Sequence, residues 1–306
     1  MKMIKTIKTC CLSLLLMLCL LPLQAIRAEE KPTVTVSTSF IEDIVQKITD
    51  DSVNIELIIP RGSDPHLYSP LASDLDNILN ADLILYQGLH LEAQMAEVLA
   101  DYGYAVTQNF NPDDLISVND GSEVDPHYWF DLNLYKQSVE EITNLLIETY
   151  PNQSELYQNN SNQYLAELDE LQLWVEDKLE ELPVENRILV TPHDAYAYFA
   201  RNYAFQVYAP QGISTESEVS NEQIIQTVDF VVNHQVPAIF LDTTSNPQAM
   251  TKLQEGIAQK GHEVKIVGGE GQELYSDSLA PSGQENDTFI KMYQHNVNLI
   301  VENLTK

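Results

Sequence analysis

The sequence predicts an α/β fold of two lobes with parallel sheets, joined by one long rigid helix. Two observations carry this. Six short β-branched runs, TVTVS (33–37), VNIELII (53–59), DLILY (82–86), RILVT (187–191), PAIFL (237–241) and HEVKIV (262–267), alternate with amphipathic helical patterns, and strand–helix–strand alternation gives parallel sheets beneath helical layers. The alternation lapses once, from Pro151 to Leu182, where Tyr157, Tyr164, Leu165, Leu168, Leu171, Val175, Leu179 and Leu182 recur at helical spacing before the stop at Pro183. A helix of about thirty residues spans roughly 45 Å, longer than a small lobe needs.

In chain order, residues 1–28 come first. Lys2, Lys5 and Lys8 precede an apolar run from Cys10 to Leu21 and a short exit ending at Ala28. This is the pattern of a secretory signal peptide, and the run is too short for a membrane span. The expected boundaries are 1–28 signal, 29–150 first lobe, 151–183 connecting helix and 184–306 second lobe. Cys10, Cys11 and Cys19 all fall in the signal, so the mature chain has no disulfide or thiolate site. LMLC (16–19) has the outline of a lipid-anchor signal, but bulky Leu18 stands where such signals carry a small residue.

Charge narrows the function classes. Removing residues 1–28 takes four of the 16 Lys and Arg and none of the 46 Asp and Glu, which leaves a formal charge of −34. That argues against nucleic acid and anionic membrane surfaces as partners. Attraction of cations fits it, and so does plain solubility.

Three of the seven histidines follow a proline, in SDPHLYSP (63–70), DPHYWFDL (125–132) and TPHDAYAY (191–198). Each sits at the end of a strand or loop, just ahead of a helical pattern. His66 precedes a helix expected to start at Ser69-Pro70; His127 precedes Asp131, a cap for the helix through Val139, Ile142 and Leu146; His193 ends RILVT. Proline stiffens the backbone beside each imidazole, and residues past strand carboxyl ends line the crevice of α/β folds. His66 and His193 can thus face each other across a cleft. Three neutral imidazoles holding a divalent ion call for an anionic oxygen as well. Asp242 in IFLDTT and Asp277 in ELYSDSL both follow strands, and position alone does not separate them.

With these residues in view, the chain resembles the extracytoplasmic solute-binding proteins of ABC importers for zinc and manganese. The blocks that carry the resemblance are SDPHLYSPLASDLDNILNADLILYQGLHLEAQM, DPHYWFDLNLYKQSVEEI, ILVTPHDAYAYFARNY, QGISTESEVSNEQI, PAIFLDTTSNP, GGEGQELYSDSL and MYQHNVNLI, in order along nearly the whole mature chain. The resemblance implies His66, His127, His193 and Asp277 as metal ligands in the cleft between the lobes, with Asp242 a neighbour. It also implies a membrane permease as partner, a monomer as working form, and a periplasmic or otherwise extracytoplasmic location. His193 at the third ligand position tilts the expected cargo toward Zn2+, with Mn2+ next and iron a distant third. The acidic stretch 111–125, expected to be a surface loop, lacks the histidines that zinc importers often carry there.

The remaining histidines have plainer readings. His90 is expected to cap or pack at a helix start, His295 to be structural in the last helix, and His234 and His262 to lie on the surface or in loops. Glu216 and Glu218 either shape the cleft or sit in a solvated loop. A secreted metallohydrolase is the competing class, yet HExxH is absent and four protein ligands leave no position for water. Adhesion as a second role has no support in the residues. Since only neutral imidazoles bind metal, retention is expected to weaken below the ordinary imidazole range near about 6.5.

Overall fold

The computed structural model describes residues 31–269 and 271–305. The predicted signal, with its three cysteines, lies outside them. The first lobe is a four-stranded, wholly parallel sheet of order β2-β1-β3-β4, built from β1 (Thr33–Val36), β2 (Asn54–Leu57), β3 (Leu83–Tyr86) and β4 (Tyr104–Ala105). Helices α1 (Ser39–Thr49), α2 (Ala72–Asn80) and α3 (Ala96–Tyr102) connect the strands. Central β1 buries Val34, Thr35 and Val36, whereas edge strand β2 exposes Asn54 and Glu56, as expected of a parallel sheet covered on both faces at its centre and open at its margin.

A short antiparallel hairpin, β5 (Ser117–Val118) with β6 (Glu123–Val124), leads into α4 (Leu132–Thr149). The long helix α5 covers Ser154–Glu180, entered through a 3-10 turn at Pro151–Gln153. At 1.5 Å per residue it is about 40 Å long. Its buried stripe of Tyr157, Ser161, Tyr164, Leu168, Leu171, Val175 and Leu179 packs against α1, α4 and the last helix.

The second lobe holds two parallel strand pairs, β7 (Ile188–Val190) with β8 (Gln206–Tyr208) and β9 (Ala238–Phe240) with β10 (Lys265–Val267), with β7 beside β9. Its helices are α6 (Ala197–Tyr203), α7 (Asn221–His234) and α8 (Gln248–Gln259). The chain then returns to the first lobe through α9 (Phe289–Leu304). Phe289 stacks on Tyr135 and edges onto Phe40. Its backbone N–H donates to Asp43 Oδ2 at 3.2 Å, and the same oxygen accepts from Tyr164 at 3.0 Å. One buried carboxylate thus ties α1, α5 and α9 together and sits at the positive end of α9. Burial raises the Asp43 pKa, opposed by these hydrogen bonds.

The predicted strands all appear, trimmed at their ends. Strands β4 and β8, which carry no strong pattern, are two- and three-residue edge additions. The 111–125 stretch is more ordered than a surface loop, because Asn119, Asp120 and Gly121 adopt positive φ and close the β5–β6 hairpin; these are the residue types that tolerate that conformation. Helix α2 starts at Ala72 rather than at Ser69-Pro70. Asp74 Oδ2 accepts from the Leu71 N–H at 2.6 Å and from the Tyr68 hydroxyl at 2.8 Å, which holds residues 68–71 as a separate turn.

Candidate metal centre

The first two imidazoles are presented by the same local device. In each Asp-Pro-His triplet the aspartate accepts the histidine's own backbone N–H, Asp64 Oδ1 from His66 and Asp125 Oδ1 from His127, both at 2.9 Å. The proline between them fixes φ, so the turn is stiff from both sides. His66 follows β2 and His127 follows β6. His193 comes after β7, where it bridges to Gln211 in parallel register. Asp277 lies beyond β10, which ends beside Gly268, a residue packed so closely on Leu241 that an added Cβ would lie 2.5 Å from Leu241 Cδ1.

One potential ligand atom from each of His66, His127, His193 and Asp277 lies within 4.8 Å of the others, and all four residues are buried. His66 Nε2 is 3.4 Å from His127 Nε2, His127 Nε2 is 3.3 Å from Asp277 Oδ1, and His193 Nε2 is 3.1 Å from Asp277 Oδ2. Four ligands at about 2.1 Å around a tetrahedral ion would stand about 3.4 Å apart. The three short contacts match that separation, while the four groups as a set lie within 4.8 Å of one another. His193 Nε2 and Asp277 Oδ1 are buried with no hydrogen bond of good geometry, only the ion-pair contacts just given, which leaves them free to take a cation.

The backs of two rings are pinned. His127 Nδ1 is 2.7 Å from Asp125 Oδ1, and His193 Nδ1 is 3.2 Å from Asp242 Oδ2. A carboxylate only accepts, so Nδ1 carries the proton in each ring, and the neutral ring presents the Nε2 lone pair to the cluster. Carboxylate–histidine pairs of this kind orient metal ligands and raise their basicity. Asp242 is held in turn by the N–H groups of Thr244 and Ser245, at 3.1 and 2.7 Å from its Oδ1.

Electrostatics follow from the same contacts. Burial pulls the His127 pKa down, but Asp125 and Asp277 together outweigh it and hold the ring up at about 9. His193 is likewise raised, with burial overcome by Asp277 and Asp242. His66, which lacks a comparable carboxylate behind it, is lowered by burial to about 3. Asp277 is lowered despite its burial by the two imidazolium neighbours. In the metal-free protein, therefore, two of the three rings hold protons far above the ordinary imidazole range. The pH window expected from sequence shifts upward accordingly.

The segment bearing Asp277 is fastened to the first lobe. Trp129 Nε1–H donates to the Ser276 carbonyl at 2.9 Å, the Gly62 N–H to Ser278 Oγ at 2.7 Å, and the Leu279 N–H to Ser39 Oγ at 2.9 Å. Arg61 donates to the carbonyls of Ala280 and Asp287 at 3.0 and 2.7 Å. On the His193 side, Tyr198 donates to the Asp125 carbonyl at 2.9 Å and Arg201 pairs with Asp131 at 2.8 Å. Between the loop bearing His66 and the loop after β8, Thr215 Oγ1 donates to Asp64 Oδ2 at 2.5 Å.

His90 departs from its expected role. It is exposed, with positive φ, and lines a cavity of about 620 Å3 beside His66, Glu123 and Glu216 rather than starting a helix. His295 Nε2 reaches the Glu273 carbonyl from α9, and His262 Nε2 the Val236 carbonyl. His234 stacks on Phe230 at the end of α7. Asp125, Trp129 and Ser278 were not singled out from the sequence. A local signal existed only for Asp125, as the aspartate repeated two residues ahead of His66 and His127.

Two parallel-sheet lobes on one long helix, with a buried three-imidazole, one-carboxylate cluster between them, define a metal-binding solute-binding protein of the ABC-importer class, which binds and delivers rather than catalyses. The profile of the family described as zinc-uptake complex component A, periplasmic, matches residues 34–303, and the chain belongs to that family. It is 35% identical over 284 residues to the zinc-binding protein TroA of Treponema pallidum, covering 91% of each chain. The solved structure of that protein superposes with a TM-score of 0.87, covering 90% of this chain and 100% of the other. A further solved TroA structure is 50% identical with a TM-score of 0.88 at the same coverage. The manganese-binding lipoprotein MntA of Bacillus subtilis is 33% identical, with 90% of this chain and 91% of that one covered. Among the described residues no helix is long and apolar enough to cross a membrane.

Proposed function

We propose that this chain captures Zn2+ outside the cytoplasm, with Mn2+ accepted at the same site, and hands it to a membrane permease. In this reading His66, His127 and His193 supply Nε2 ligands and Asp277 the carboxylate. The observation that carries it is the convergence of four buried groups whose ligand atoms lie within 4.8 Å of one another. Three imidazole nitrogens favour zinc over manganese on ligand type and on the ordinary affinity order. Both oxygens of Asp277 face imidazole nitrogens, so bidentate binding can raise the coordination number toward what Mn2+ takes. The relatives named for zinc and for manganese support keeping both ions.

The exported form is residues 29–306, working as a monomer, with lobes at 29–150 and 184–306 joined by 151–183. The test is competition between zinc and manganese on that chain after stripping, with metal content read by elemental analysis. His127→Ala lowers zinc affinity by orders of magnitude and His90→Ala leaves it nearly unchanged. Equal effects would remove His127 from the ligand set.

A further inference from the structure

The residue after His66 begins a line of exposed leucines. Leu67, Leu71, Leu75 and Leu79 are 49%, 61%, 47% and 57% exposed, and their four-residue spacing puts the last three on one face of α2 and the turn before it. The inward face of α2 carries Asp74 and Ile78, so the apolar stripe points away from the core. An aligned apolar ridge on the outside of a soluble protein marks an interaction site. Leu67 also lines a groove of about 480 Å3 with Pro192, Thr215, Glu218, Ile224 and Lys252, which joins the ridge to the second lobe.

Charge around the ridge is predominantly negative, Lys252 in the adjoining groove apart. Residues 62–135 contain thirteen Asp and Glu and no Lys or Arg, and residues 202–251 of the second lobe also lack Lys and Arg. A second copy of this acidic chain or an anionic lipid surface would be repelled from such a face. A partner with an apolar groove flanked by cations fits it.

Leu67 directly follows His66 in the chain, so the ridge begins beside the candidate metal centre. We propose that the Leu67–Leu79 ridge is the docking surface for the extracytoplasmic face of the importer's permease, which covers the leucines with an apolar groove and meets the acidic surround with Lys and Arg. This rests on the importer reading above. The contact therefore weakens with added salt, as exposed charge interactions do.

The test uses the zinc-loaded protein and its own permease in lipid nanodiscs. Leu71→Ser/Leu75→Ser/Leu79→Ser, which leaves Leu67 beside the metal site untouched, weakens permease binding by about tenfold or more, the scale of truncating interface hot spots. Zinc affinity stays unchanged, and Leu173→Ser, at an exposed leucine on α5, binds the permease like the wild type. Should the triple variant lose its thermal transition, Leu75→Lys replaces it with the same expected loss. If the wild type binds the permease and the folded variant binds within twofold of it, the ridge is not the docking surface and the importer reading stands. A wild type that does not bind the permease removes the importer reading itself. A wild-type dimer that the variant dissolves, seen by light scattering, or equal binding to empty anionic nanodiscs, assigns the ridge to a second copy or to lipid and overturns the proposal.

Discussion

Asp125→Asn separates the two contributions that the buried carboxylate makes to metal binding. In the metal-free protein His127 holds its proton up to about 9, so at pH 7 an incoming ion displaces it. At 1.36 kcal/mol per pH unit this costs about 2.7 kcal/mol, or about a hundredfold in apparent affinity. The substituted side chain keeps an oxygen for the His127 N–H groups but no charge, and burial then favours the neutral ring. Loss of such a supporting carboxylate lowers metal affinity by about 10–100-fold. That loss is fully expressed at pH 9.5, where the wild-type ring is already neutral. Near pH 7 the wild type carries the proton penalty and the variant does not, so their affinities converge to within about tenfold. Zinc competition against a chromophoric chelator from pH 6.5 to 9.5 measures the two curves. Calorimetry in buffers of different ionisation enthalpy counts protons: about two released by the wild type at pH 7, from His127 and His193, and about one by the variant. A constant affinity ratio across the range with equal proton counts would refute the reasoning.

Further outcomes follow from the same geometry. The raised His127 pKa stabilises the metal-free fold fully below about 6.5 and loses that effect as pH rises through about 9, so Asp125→Asn lowers the Tm at pH 6 by calorimetry and leaves it unchanged at pH 9.5. Leu168→Ala, in the buried stripe of α5, costs about 2–5 kcal/mol in denaturant unfolding while the zinc Kd of the folded protein stays within about twofold, since Leu168 is not one of the clustered groups. Gly268→Ala forces a methyl group onto Leu241; overpacking of this kind costs about 1–3 kcal/mol, and zinc affinity falls with it because Leu241 leads directly into Asp242, the carboxylate behind His193. Zinc at about a thousand times its Kd stabilises the protein by about 4 kcal/mol, read as a Tm rise that a chelator reverses.

The architecture was legible because its strands are β-branched and its spine keeps a helical period over seven turns. The imidazoles stood out because proline preceded them. The carboxylate was harder: Asp242 and Asp277 both follow strands, position alone left them equal, and the resemblance that favoured Asp277 agrees with a fold that sets Asp242 behind His193 Nδ1 and Asp277 among the Nε2 atoms. Ser39, Arg61 and Ser278 had no sequence signal at all, since their contacts join residues more than two hundred positions apart. The leucine ridge escaped notice for a different reason. Four leucines at helical spacing read as core until the direction of α2 is known.

The fastenings on either side of the cluster govern how an ion gets out. Arg61, Trp129, Ser39 and Gly62 hold one flank, and Tyr198 with Arg201 holds the other. A wide clamshell swing would rupture both sets at once, whereas parting Asp64 from Thr215 breaks a single hydrogen bond. Loosening at Asp64 and Thr215 is therefore the smallest change that parts these two loops, and Thr215→Val is expected to speed release of a cation from the cluster without rebuilding either lobe.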